Sequence, residues 1–142
     1  MNLLFFEDQY LSNSNVRFTL ALRDNIPKLN IFQAYNVEWF EKYVHEMIFD
    51  VFILDIMTPE TDIKSVEYKK WIPKSLIGIE LSMRLRNNHY PNQKNNVCII
   101  MRTARAEDSQ IKQLCSKYGI NYCFIPGSGD FEIIRILKKL NF

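Results

Sequence analysis

Five short apolar runs, each set off from the next by a longer amphipathic or polar stretch, limit what this chain can fold into. They are Asn2–Phe6, Leu29–Ala34, Val51–Ile56, Val97–Arg102 and Asn121–Ile125. Short runs rich in β-branched and aromatic residues suit strands buried on both faces. Between them, Val16–Asp24 is expected to be helical and to end before Pro27. Asn36 offers a capping oxygen to a helix whose Val37, Phe40, Val44 and Met47 fall on one face. Ile111, Leu114, Cys115 and Tyr118 recur at helical spacing, and Gly119 follows as a C-terminal cap. A last helix fits about Asp130–Leu140. Strands that alternate with helices imply right-handed crossovers and a doubly wound α/β fold, a parallel sheet with helices on both faces.

One segment carries two conflicting signals. "IGIELSMRLR" has Ile77, Ile79, Leu81, Met83 and Leu85 at period two, which alone would indicate a strand. Its Glu, Leu, Met and Arg content favours helix, and a parallel sheet needs a crossover between the third and fourth strands. The helix is the expectation.

At 142 residues, 47% of them hydrophobic, the chain suits one domain over 1–142 with a real core. With 18 basic against 16 acidic residues there is no electrostatic footprint for direct nucleic-acid binding. No apolar stretch approaches the ~20 residues that span a bilayer, so no membrane insertion is expected. Cys98, Cys115 and Cys123 sit among apolar neighbours without a CxxC pair, which argues against zinc and for buried thiols in a reducing cytoplasm. "ETDIKSVEYKKWIPKSLI" mixes charges with Tyr68, Trp71 and Pro73 and reads as an inserted loop at about 60–77.

The chemistry concentrates at the strand ends. "DVFILDIMTPE" carries one carboxylate, Asp55, at the end of the most hydrophobic strand. In an open parallel sheet the carboxyl ends of adjacent strands converge on one crevice. Glu7 and Asp8 follow the first strand and Thr103 ends the fourth, so three carboxylates and a hydroxyl should meet there. Two unit charges about 4 Å apart repel by roughly 4 kcal/mol at an effective dielectric of about 20, so such a cluster binds a cation or keeps a proton. Mg2+ fits, since it takes oxygen ligands and pairs one or two carboxylates with a phosphate. A dehalogenase-type phosphohydrolase would want a second Asp where Met57 stands, and an Asp-x-Asp nuclease site fails for the same reason. "EDQYLSNSN" opens with two acids and does not suit the phosphate-cradling loop of a flavin-binding protein.

In these stretches the chain resembles the receiver domain of bacterial two-component response regulators. "FFEDQ" is similar to the acidic pair after strand one, "DVFILDIMTP" to the phosphoacceptor strand and "GIELSMRLR" to the helix after it. "IIMRTARAED" is similar to the fourth strand with its switch threonine, and "YGINYCFIP" to the fifth strand with its aromatic. The resemblance covers nearly the whole chain apart from the insertion.

It implies a flavodoxin-like five-stranded sheet in the order 2-1-3-4-5. Asp55 would accept a phosphoryl group from a histidine kinase or phosphotransfer protein. Glu7, Asp8, Asp55 and the backbone carbonyl of Met57 would hold Mg2+. Thr103 would hydrogen-bond the phosphoryl group, Tyr122 would be the switch aromatic, and Arg105 would border the phosphate and govern water access. Such a protein is not a conventional enzyme but a phosphoacceptor, with autophosphorylation and autodephosphorylation as its chemistry. It would serve phosphorelay signal transduction by contact with a downstream protein target or as a homodimer. Because the chain ends at Phe142, directly after the last helix, no output domain is expected.

Two features depart from the family. Its lysine before the proline at the end of strand five is replaced by Ile125, and Gly78 lies nineteen residues after Pro59 because of the insertion. Arg102 neighbours Thr103, but strand alternation turns it to the other face. The alternative is therefore a degenerate pseudo-receiver, an interaction module that works without phosphorylation.

Overall fold

A computed structural model describes residues 1–56 and 76–140. Met57, Tyr68, Trp71 and most of the insertion lie outside the described residues. Where the insertion was expected to run to 77, Leu76 and Ile77 already open a helix.

Five strands form one parallel sheet in the order β2-β1-β3-β4-β5, with β1 Asn2–Phe6, β2 Asn30–Ala34, β3 Val51–Leu54, β4 Cys98–Arg102 and β5 Tyr122–Phe124. The described helices are α1 Asn13–Asn25, α2 Val37–Glu46, α3 Ile77–Arg86, α4 Ser109–Lys117 and α5 Asp130–Lys139. Strand alternation splits the core in two. Leu4, Phe6, Phe52, Leu54, Ile99 and Met101 face α2, α3 and α4, while Leu3, Phe5, Val51, Ile53 and Ile100 face Phe18 and Leu22 of α1 and Ile133 and Leu137 of α5. With β1 and β3 buried on both faces, the central strands have no polar side to show. That explains their unbroken apolar runs.

The elements end where local chemistry ends them. α1 begins three residues before the expected Val16, because the Ser12 hydroxyl accepts from Asn15 N and draws the polar "NSN" into the first turn. Asn36 caps α2, its Oδ1 accepting from Trp39 N at 2.8 Å. Asn36→Ala should cost about 1 kcal/mol, read as a lower urea midpoint with an unchanged slope. Gly119 takes φ +70° after α4, and Ile120 N reaches back to Cys115 O at 2.9 Å, a closure that stops the helix.

The ambiguous segment is helical, and burial explains its pattern. Ile77, Ile79, Leu81 and Leu85 are buried, but so are Gly78, Glu80, Ser82 and Arg84 between them. A helix covered on most sides has no single apolar stripe to reveal its period. Of the three free cysteines only Cys115 is buried; Cys98 and Cys123, expected to be buried, are half-buried.

Candidate functional site

Backbone pairing runs to the carboxyl ends of the strands and fixes where the site residues emerge. Glu7 N donates to Ala34 O (3.0 Å), Asp55 N to Phe6 O (2.9 Å) and Thr103 N to Phe124 O (3.0 Å). Each of these residues therefore starts from a position set by the neighbouring strand. The result is that Glu7, Asp8 and Asp55 each bring a carboxylate oxygen within 4.8 Å of the other two. They line a crevice of about 490 Å³ together with Thr103, Arg105 and Pro126.

Local bonds aim these groups. Asp55 Oδ1 accepts from Ile56 N at 2.7 Å, and Glu7 Oε1 accepts from Gln9 N at 3.0 Å. Glu7 is buried, and that burial, followed by the Asp55 charge and a hydrogen bond with Asp8, pushes its carboxyl up to about 9. In the absence of a cation the cluster thus keeps a proton, as crowded carboxylates must. Three carboxylates on one rim are an oxygen donor set suited to a hard divalent ion, which would displace that proton. The fourth expected ligand, the carbonyl of Met57, falls outside the described residues.

The start of α3 packs against the backbone just after β3. Gly78 N donates to Ile56 O at 3.1 Å, and a Cβ built on Gly78 would stand 2.2 Å from the Asp55 carbonyl oxygen. Only glycine allows the helix to lie this close to the strand end. Across the crevice Thr103 is buried, its Oγ1 accepting from Arg105 N at 3.3 Å, and the Arg105 guanidinium pairs with Asp108 at 3.0 Å. Tyr122 lies on β5 away from the acids; it is 41% exposed and stacks on Phe124 with ring centroids 6.2 Å apart. Ile125 is half-buried, and the crevice wall beside it is formed by Pro126.

Sequence reasoning missed the wall made by α1 and β4. Ser12, Ser14, Asn15 and Arg102 also line the crevice. Alternation does turn Arg102 to the α1/α5 face, as expected, where its guanidinium lies 4.3 Å over the Phe18 ring. But the side chain is long, and at the strand's end it bonds Asp130 and Asn15 in the buried wall of the crevice. The sequence held one signal for it, an arginine closing an otherwise apolar strand in "CIIMR".

No family model matches the chain, and no curated protein matches it. Solved structures do. The signal receiver domain of a DNA-binding response regulator protein from Colwellia psychrerythraea is similar over 99% of this chain and 97% of that one, at 20% identity and a TM-score of 0.69. The response regulator protein TrrA from Thermotoga maritima, in complex with Mg2+-BeF, is similar over 98% and 97%, at 22% identity and a TM-score of 0.63. The isolated REC domain of RcsB from Salmonella enterica serovar Typhimurium, in the presence of phosphomimetic BeF3-, is similar over 99% and 87%, at 16% identity and a TM-score of 0.70. With its sheet order 2-1-3-4-5 and helices on both faces, this chain has the fold of response regulator receiver domains.

Proposed function

We propose that this protein is a receiver in phosphorelay signalling, accepting a phosphoryl group on Asp55 with Mg2+ and passing the signal by protein contact. The observation that carries the reading is the meeting of Glu7, Asp8 and Asp55 at the carboxyl end of the sheet, beside Thr103. An Asp55 carboxylate oxygen attacks phosphorus, the bond to the donor breaks, and the departing nitrogen of a phosphohistidine leaves with the electron pair and takes up a proton. A bound divalent ion supplies charge neutralisation for the transferring oxygens. Glu7 would hold such an ion as a carboxylate, without its proton. Thr103, whose Oγ1 already accepts from Arg105 N, has its own proton to donate to a phosphoryl oxygen. Tyr122 and Arg105 are the groups through which the new charge would reach the surface and solvent.

The donor would be a histidine kinase or phosphotransfer protein, and the recipient of the signal a downstream protein or a second copy of the chain. No helix among the described residues is long and apolar enough to cross a membrane. The second reading, a receiver that works by contact without phosphorylation, is favoured by one feature: an apolar Ile125 where the related family carries a lysine.

Incubation with acetyl phosphate and Mg2+, followed by mass spectrometry, decides between the two. The expected result is a single phosphoryl adduct on the wild type and none on Asp55→Asn. An unmodified wild type would leave only the contact reading.

A further inference from the structure

The crevice has a second, buried layer behind its acids. Arg102 Nε and Nη2 donate to the two carboxylate oxygens of Asp130, in the first turn of α5, at 2.7 and 3.0 Å. Arg102 Nη1 donates to Asn15 Oδ1. Asn15 Nδ2 donates to Gln9 O at 2.7 Å, and Gln9 N donates to Glu7 Oε1 at 3.0 Å. The chain of bonds therefore starts at α5 and ends on a carboxylate of the acid cluster.

Its polarity is set throughout. Guanidinium only donates and the Gln9 backbone carbonyl only accepts, so the Asn15 amide has one workable orientation, oxygen to Arg102 and nitrogen to Gln9. Turning that amide over would set its NH2 against a guanidinium. Burial raises the stakes: the Arg102 side chain is 0% exposed and Asn15 is buried, so a lost partner is not replaced by water.

We propose that Arg102 is a positioning residue for the divalent ion. Through Asn15 and Gln9 it holds the loop that carries Glu7 and Asp8, and it ties that loop to Asp130 at the start of α5. This rests on the reading of the acid cluster as an ion site. Replacing a group that orients metal ligands without touching the metal costs about 10- to 100-fold in metal affinity. Coupling of this kind is reciprocal, so ion uptake at the acids is felt at Arg102 and the first turn of α5.

The test is a Mg2+ titration of wild type, Arg102→Met and Asn15→Ala, followed by calorimetry and by the Arg102 Nε–H and backbone amide resonances. Asn15→Ala cuts the relay but keeps the Arg102–Asp130 pair, so it serves if Arg102→Met fails to fold. Both variants are expected to bind Mg2+ about 10- to 100-fold more weakly than wild type. In the wild type the Arg102 Nε–H resonance is expected to move with the same midpoint as the Asp8 and Gln9 amides. A purely structural arginine would not follow the ion. Wild-type affinity in a folded variant, or an Nε–H resonance indifferent to Mg2+, overturns the inference alone. A wild type that binds no Mg2+ overturns both the inference and the ion site beneath it.

Discussion

Without a divalent ion, the protein is expected to lose several kcal/mol of stability as pH rises from 5 to 9. The cause is Glu7, whose carboxyl is pushed up from 4.5 to about 9 by burial, the Asp55 charge and the hydrogen bond with Asp8. Above the unfolded value the unfolded chain releases this proton while the folded protein retains it. Unfolding then releases a proton, so raising the pH favours the unfolded state. The advantage of the protonated fold is fully present below about pH 4.5 and is lost as pH climbs through the folded value. At 1.36 kcal/mol per unit, the span from pH 5 to 9 amounts to roughly 5 kcal/mol. Mg2+ should flatten the profile, because the ion replaces the proton and stabilises the charged cluster by mass action. Glu7→Gln, neutral at every pH, should flatten it without Mg2+. Urea midpoints at half-unit intervals in chelator, with and without added Mg2+, provide the measurement. A wild-type profile identical to that of Glu7→Gln would show that Glu7 holds no such proton.

Replacing Gly78 by alanine should cost about 3 kcal/mol, at the upper end of what overpacking does. The new methyl would stand 2.2 Å from Asp55 O and 2.9 Å from both Asp55 C and Ile56 Cα. All three are backbone atoms, so no side chain can swing aside. The relief available is to push α3 off the end of β3, and that movement displaces the residue proposed to accept phosphate. A drop in melting temperature of roughly 10 °C and slower adduct formation on Asp55 should therefore appear together. If the variant melts like the wild type, α3 does not rest on the Asp55 carbonyl.

Gly78 also shows how far the sequence could be read. Its place in "GIELSMRLR" was legible by resemblance, and the helix there followed from composition and from the crossover a parallel sheet requires. The period-two pattern pointed the other way because α3 is buried on most sides, and burial belongs to the assembled protein rather than to the segment. The start of α1 was misplaced by three residues for a local reason. Polar Asn13, Ser14 and Asn15 look like loop until Ser12 is seen capping them. Asn15 then proves to be buried, bonded at once to Gln9 and to an arginine far along the chain.

What the sequence determined by itself is the sheet, its helices and the acids at its edge. Strand and helix periods are local, and parallel pairing leaves one edge where strand ends can gather Glu7, Asp8, Asp55 and Thr103. What the tertiary structure alone decided is how those acids are held: which one is buried, which glycine lets α3 pack against the end of β3, and where the end of Arg102 goes. Alternation dictates the direction in which a side chain leaves its strand. The destination of a long one depends on Asp130, Asn15 and Phe18, partners brought together only by folding.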